Sequence, residues 1–237
     1  MRLLIDLGNT RAHLALSPRP GVLEQVLHVP HDQGRDPWLP LLERAEDAWL
    51  ASVVPALEAQ TVTWLGARGL GCQRLTSVTA PIALDVDTPE TVGADRLANA
   101  VWAARARPGQ ATIVVDLGTA VTFEVVDRAG AFRGGAIAPG LTTQARALAR
   151  DTALLPQITR VDAPPPALGR DTPANIAAGV FWGVVGLVEA LCPRLSAIVG
   201  GSPRVVATGG DAARIAQACL AIDEVVPELT LLGLSYL

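Results

Sequence analysis

One pattern occurs twice in this chain, as "LLIDLGNTRAHLAL" (Leu3–Leu16) and again as "TIVVDLGTAVTFEVV" (Thr112–Val126). Each copy is an apolar run closed by Asp-Leu-Gly, then a hydroxyl residue, then a second strand-like run. Two short apolar runs around a tight Gly-containing turn are a hairpin signal. Leu3–Ile5 with Ala12–Leu16, and Ile113–Val115 with Val121–Val126, are therefore expected as hairpins. A Pro-Gly turn at Ser17–Gly21 leads into strand-like Val22–Val29, and the turn at Asp127–Gly130 leads into a third short strand within "AFRGGAIAPGL". So long a period indicates a duplicated domain and not a solenoid.

Helical patterns follow each meander. "PWLPLLERAEDAW", "GADRLANAVWAARA", "LTTQARALARDTALL", Asn175–Leu191 and Ala212–Leu220 read as helices, with strands at Leu50–Val54 and Val205–Ala207. Strands such as Ile113–Val115 are apolar on both faces, as in mixed sheets covered by helices. The expectation is an α/β fold of two halves, residues 1–107 and 108–237, divided near "RARPGQ" (Arg105–Gln110). "VDAPPPALGRDTP" reads as an extended, exposed connection.

Composition narrows the function. Half the 237 residues are apolar and 18% are charged, which describes a globular chain. The net charge of -4, with no basic block, argues against nucleic acid as a partner. All 19 basic side chains are Arg, so neither a Schiff-base Lys nor a Walker Gly-Lys loop is available. Cys72, Cys192 and Cys219 lack ligand spacing, and His13, His28 and His31 lie far from them in sequence. Neither a zinc site nor a disulfide framework is expected, and the location expected is the cytoplasm. Asp6 interrupts the first apolar run, unlike a signal peptide. Ile176–Val188, the longest apolar stretch, is too short to span a bilayer and suggests a buried helix, with no membrane as partner.

An Asp at the end of a buried strand sits at the sheet edge, where α/β folds meet their ligands. Its carboxylate can hold a cation, and the Gly beyond lets backbone N–H groups approach a phosphate. Asn9, Thr10 and Thr119 add donors. One such turn could be purely structural; two in the same context suggest a metal-bound polyphosphate. "VVATGGDAARI" (Val205–Ile215) adds a strand, a Gly pair and a helix start, where a ligand can lie against the backbone. These three loops, in this order, resemble the phosphate 1, phosphate 2 and adenosine motifs of the actin and sugar-kinase superfamily. The resemblance implies duplicated actin-like (ribonuclease H-like) halves with an ATP cleft between them.

"PETVGADRLANAVWAAR" (Pro89–Arg105) goes beyond that superfamily pattern. As a helix it gathers Leu97, Ala100, Val101 and Ala104 on one face, with Asp95 and Asn99 on another. The helix dipole favours an acid in the first turn, which is reason enough for Asp95. The same dipole would keep its pKa low, as suits a base ionised at pH 7. Arg96 fits a carboxylate clamp and equally a surface position.

"DLGNTR", "GADRLANAV", "VDLGTAVTF", "GGAIAPGL" and "TGGDA" together closely resemble type III pantothenate kinases. The resemblance implies ATP-dependent phosphorylation of pantothenate to 4'-phosphopantothenate, the first step of coenzyme A biosynthesis. It also implies a homodimer that uses Mg²⁺ and a monovalent cation, potassium or ammonium. Carried over by position, Asp6, Leu7, Gly8, Asn9, Thr10, Arg11, Ala12 and His13 would surround the ATP phosphates, with Asp6 near the magnesium. Thr119 would contact ATP and Asp116 would hold the monovalent cation. Gly93, Ala94, Asp95 and Arg96 would contact pantothenate, Asp95 as general base and Arg96 on the carboxylate. Thr172 would reach that pocket from the partner subunit.

His13, among alternating apolar and small neighbours, reads from the pattern as a strand position. Val86 stands where the family usually has a substrate-touching Tyr, and Tyr236 cannot replace it by sequence position. Gly179 and Gly183, with Phe181 and Trp182, fit a dimer interface or an intrachain helix, and the resemblance favours the interface. Two alternatives remain: a kinase of another small acid or sugar, and a non-catalytic accessory or regulatory homologue. The intact Asp6, Asp95, Arg96 and Asp116 speak against the latter.

Overall fold

Both repeated stretches fold as antiparallel hairpins in the computed structural model, which describes residues 1–158, 161 and 163–237. In chain order the first elements are β1 (Arg2–Leu7), β2 (Arg11–Ser17), β3 (Glu24–Pro30), α1 (Leu39–Leu42), β4 (Asp47–Ser52), α2 (Pro55–Gly66), β5 (Cys72–Arg74) and α3 (Ala94–Ala106). The repeat follows as β6 (Thr112–Leu117), β7 (Ala120–Val126), β8 (Phe132–Pro139), α4 (Leu141–Asp151), α5 (Thr172–Val199), β9 (Arg204–Thr208), α6 (Ala212–Ala216) and β10 (Glu224–Val225), and α7 (Leu229–Leu234) ends the chain. The two mixed sheets run β3-β2-β1-β4-β5 and β10-β9-β6-β7-β8. Read from opposite ends these are one topology, so the repeat is a true structural duplication.

The chain forms two compact units. The first contains residues 1–109, 128–133 and 228–237; the second contains 110–127 and 134–227. In the first unit the alternation along β1 sends Leu3, Ile5 and Leu7 to one side, with Leu14, Trp38 and Leu65. Leu4 goes to the other, with Trp49, Leu97, Leu231 and Leu234. Each fully buried leucine contributes about 1.5–3 kcal/mol of transfer free energy. Helices α3 and α7 pack so closely that a Cβ at Gly233 would overlap the Ala98 carbonyl. Residues 128–133 join this unit through backbone bonds of Phe132 to Ala83 and Asp85 and an Arg133–Asp85 ion pair of 2.8 Å.

In the second unit Ile113, Val115 and Phe123 pack against Val180, Phe181, Val184 and Val188 of α5. Val114, on the opposite face of β6, is also fully buried. The α5 N-terminus is capped by the Asp171 carboxylate, which accepts from the Ala174 N–H at 2.8 Å. At 28 residues, this helix is far longer than the apolar stretch from which a buried helix was expected. Its buried face forms the core of the second unit.

Three sequence expectations are corrected. "PWLPLLERAEDAW" yields only the single turn α1, because Ala48 and Leu50 are drawn into β4, where they fill the core beside β1. That strand consequently spans Asp47–Ser52, earlier than Leu50–Val54. Helix α6 stops at Ala216, and Leu220 is left 97% exposed as the chain turns towards β10.

Candidate active site

In the first unit, the last pair of the β1–β2 ladder is Leu7↔Ala12, with residues 8–11 forming the turn. Gly8 N–H closes it on the Arg11 carbonyl at 3.1 Å. His31 Nε2 donates to the Gly8 carbonyl at 2.8 Å and braces the turn from β3. Leu7 and Ala12 bury their side chains in the core, so only their backbone can face a ligand. Asn9, Thr10 and Arg11 are exposed.

Asp6 pairs across the ladder with His13. His13 Nδ1 lies 4.0 Å from Asp6 Oδ2 and 3.9 Å from Glu228 Oε2. Its ring stacks on His28 at 4.6 Å, and His28 Nε2 meets Glu228 Oε1 at 2.9 Å. Burial, reinforced by His28 and Arg11, lowers the His13 pKa to about 4. The imidazole is therefore neutral at pH 7 and does not rival a metal for Asp6 as a charge. Glu228 was invisible in the sequence: it belongs to no motif, and its left-handed backbone (φ 56) is unusual for a non-glycine residue.

Gly93 is the cap before α3. Asp95 Oδ1 folds back to accept the Arg96 N–H at 2.7 Å. A Cβ at Gly93 would stand 2.6 Å from that oxygen and 3.7 Å from Val53 Cγ1. Val53 N–H in turn donates to the Leu7 carbonyl at 3.2 Å. Gly93 and the Asp6 turn thus share one end of the first sheet. Ala94 is 9% exposed, its methyl in the core.

Two expectations about this helix change. Burial raises the Asp95 pKa above the usual carboxylate value, outweighing the Arg96 N–H and the Arg96 charge, so the expected lowering by the dipole does not prevail. A carboxylate raised in this way is a stronger proton acceptor. Asn99, read as lying with Asp95 off the apolar face, is fully buried and accepts from Thr230 Oγ1 at 2.9 Å. Val86 is half-buried, and the Tyr236 hydroxyl lies over Gly21.

In the second unit, Leu117↔Val121 is the last ladder pair, so the turn over residues 118–120 is one residue shorter than its counterpart. The Asp116 carboxylate lies beside Gly209, whose φ is +92°; a Cβ there would be 2.5 Å from Oδ1 and 2.7 Å from the Leu117 carbonyl. Asp211 N–H donates to the Leu117 carbonyl at 2.9 Å, and Gly140 N–H to the Thr119 carbonyl at 3.0 Å. Thr143 Oγ1 reaches the same Thr119 carbonyl at 2.6 Å. A Cβ at Gly140 would overlap the Gly118 carbonyl. The "VDLGTA", "GGAIAPGL" and "TGGDA" segments therefore meet around Asp116 and Thr119, with an Asp211–Arg214 ion pair alongside.

Thr172 lies exposed in the first turn of α5, and among the described residues no hydrogen bond ties its side chain to Asp116 or Thr119. Gly179, Trp182, Gly183 and Gly186 form the exposed face of this helix. Phe181, expected to offer apolar area to a partner, is fully buried in the core of its own unit. Among the described residues, no group of three or more His, Cys, Asp or Glu side chains is placed to hold a metal.

Residues 2–194 match the family model described as type III pantothenate kinase. A relative of that name from Akkermansia muciniphila is 40% identical over 237 residues, which cover 98% of this chain and 96% of its own. Among solved structures, a conserved Baf family protein from Campylobacter jejuni has a TM-score of 0.64 at 19% identity, covering 98% of this chain and 94% of that one. A ROK family glucokinase from Streptomyces griseus, solved with glucose and AMPPNP, has a TM-score of 0.54 at 12% identity, covering 98% of both chains. At these identities the structural likeness speaks to the fold alone, the duplicated actin-like α/β fold of the sugar kinases.

Proposed function

We propose how these residues act from one premise: this chain belongs to the type III pantothenate kinase family, and it phosphorylates pantothenate in coenzyme A biosynthesis, using ATP and a divalent metal. The γ-phosphoryl group passes from ATP to the primary hydroxyl, leaving ADP, and the hydroxyl proton passes to Asp95. The Gly93–Asp95 arrangement carries this reading. A carboxylate folded back over a glycine, with its pKa raised by burial, is positioned by the backbone and basic enough to accept a proton. Arg96 pairs with the pantothenate carboxylate.

Asp6 and the residues up to His13 attend the ATP phosphates, mainly through backbone N–H groups and the exposed Asn9, Thr10 and Arg11. Magnesium takes one or two carboxylates besides phosphate oxygens and water, so the single carboxylate that Asp6 brings to the turn fits it. When bound, it would neutralise phosphate charge. Asp116 holds the monovalent cation, and Thr119 contacts ATP; the close approach of Gly209 and Gly140 to this turn supports a preorganised site. Thr172 serves the pantothenate pocket of the partner subunit in a homodimer. The exposed glycine face of α5 supports that pairing, since nothing lies within 4 Å of a Cβ at Gly179 or Gly186. The three free thiols suit the reducing cytoplasm, where we place the enzyme.

A coupled ADP-release assay with pantothenate, with and without potassium, tests the assignment. Asp95→Asn should lower kcat by about 10²–10⁴ while ATP still binds. In the wild type kcat should fall with falling pH through a pKa above the ordinary 3.8 of Asp, as the base becomes protonated. Wild-type turnover by Asp95→Asn would end the base assignment. Sedimentation at micromolar concentration checks the dimer, and a fully active monomer would remove Thr172 from the site.

A further inference from the structure

Along β8 only Phe132 is buried, and it belongs to the first unit, whereas Gly134 onwards belongs to the second. We propose that Phe132 is a positioning residue for the kinase reaction. Its ring holds the Arg96 guanidinium where that group meets the substrate carboxylate, and so sets the preference for an acid over an uncharged analogue. The proposal rests on the reading of Arg96 as the carboxylate clamp.

The argument begins with the contact. Arg96 Cζ stands over the Phe132 ring, 5.6 Å from its centroid, within the ~6 Å over which a ring face attracts a cation. Arg96 lies in the first turn of α3, where the positive end of the helix dipole disfavours a cation. The negative face of the ring offsets that disadvantage. It attracts the charge without neutralising it, and contact with a ring face does not use the in-plane N–H donors that pair with a carboxylate.

The ring itself is locked. Phe132 N–H donates to the Ala83 carbonyl, and the Phe132 carbonyl accepts from the Asp85 N–H, both at 2.9 Å. Its side chain is fully buried. Two residues earlier, a Cβ at Gly130 would stand 3.4 Å from the Ala104 methyl, so the segment 128–133 lies along α3 from Ala104 to Arg96. Arg pairs bidentately with a carboxylate only when its plane is correctly set. A half-buried guanidinium over a fixed ring has lost much of its rotamer freedom before substrate arrives, which lowers the ordering cost of binding.

The test uses the full chain and measures KM for pantothenate, KM for ATP, and Ki for pantothenyl alcohol, a competitor that lacks the carboxylate. Two variants are compared with the wild type: Phe132→Leu, and Phe132 replaced by pentafluorophenylalanine, which nearly keeps the volume but reverses the charge pattern of the ring face. Each should raise KM for pantothenate about three- to tenfold. KM for ATP and Ki for the alcohol should stay within about twofold. A ring that only fills the core would move all three constants together or none of them. Arg96→Gln, the reference, should raise KM for pantothenate at least as much and leave Ki for the alcohol unchanged. If Arg96→Gln leaves KM for pantothenate unchanged, the clamp reading fails and this proposal falls with it. If Arg96→Gln raises it while both Phe132 variants match the wild type, or weaken the alcohol equally, the positioning role alone is overturned. Should Phe132→Leu fail to fold, the fluorinated ring decides it.

Discussion

Gly93→Ala tests whether the glycine before α3 exists to position Asp95. The backbone at this position (φ -58, ψ 144) accommodates alanine without strain, so the effect comes from the added methyl alone. That methyl would stand 2.6 Å from Asp95 Oδ1, where ordinary contact begins at 3.4 Å, so the carboxylate must retreat by about 0.8 Å. The retreat breaks the Arg96 N–H bond, worth about 1–2 kcal/mol. Stiffening the unfolded chain returns about 0.4–1 kcal/mol. Net destabilisation is therefore ~0–1.5 kcal/mol, a fall in Tm of about 0–6 °C for a chain of this length. A base displaced by nearly 1 Å should cost about 10²-fold in kcat. KM for ATP should stay within about twofold, because uniform binding is untouched. Coupled ADP release and a thermal melt measure the two effects. A variant that keeps kcat within about threefold of wild type would refute the reasoning, because Asp95 could then work from another rotamer.

Gly209→Ala combines a left-handed backbone with a clash against Asp116. It should lose about 1–2 kcal/mol from the φ change alone and weaken potassium activation, seen as a higher half-saturating concentration; unchanged cation dependence would detach Asp116 from that role. Thr230→Val removes the hydroxyl bonded to Asn99 and should cost about 1–2 kcal/mol in urea unfolding; an unchanged midpoint would show the bond to be dispensable. Burial, with help from Glu58, raises the Cys72 thiol from 9.0 to about 11. At pH 8 it should react with a disulfide reagent roughly 10²-fold more slowly than a free thiol, accelerating about tenfold per pH unit; rapid labelling at pH 8 would contradict that environment.

Much of the fold was legible where sequence and tertiary structure agree. The two hairpins carry their own turn residues, and α3 shows a continuous apolar stripe. The start of α5 was also readable, since Asp171 caps it and Pro173 occupies its first turn, yet the apolar pattern alone suggests Asn175. Helix α2 escapes pattern reading because only Thr61 and Leu65 on it are buried, leaving no stripe to find. Helix α7 escapes because six residues carry too little periodicity, and its partners Ala98 and Asn99 lie more than a hundred positions away. The motif residues were all readable, but the Asp95 pKa was not. Its direction depends on a burial that no local pattern reports.

The return of residues 228–237 to the first unit imposes an order on biosynthesis. Leu231 and Leu234 complete the cluster around Leu4 and Leu97, Ser235 Oγ accepts from Gly21 N–H at 2.8 Å, and the Leu237 carbonyl accepts from Arg2 at 2.6 Å. While residues 110–227 are still being added, the first unit lacks its last core helix. At ~5–20 residues per second that wait is roughly 6–24 s on the ribosome. The part made first is thus the part finished last. A nascent chain with an exposed Leu4–Leu97 surface is a natural client for chaperones, and a circular permutant that places 228–237 ahead of Met1 would remove the delay.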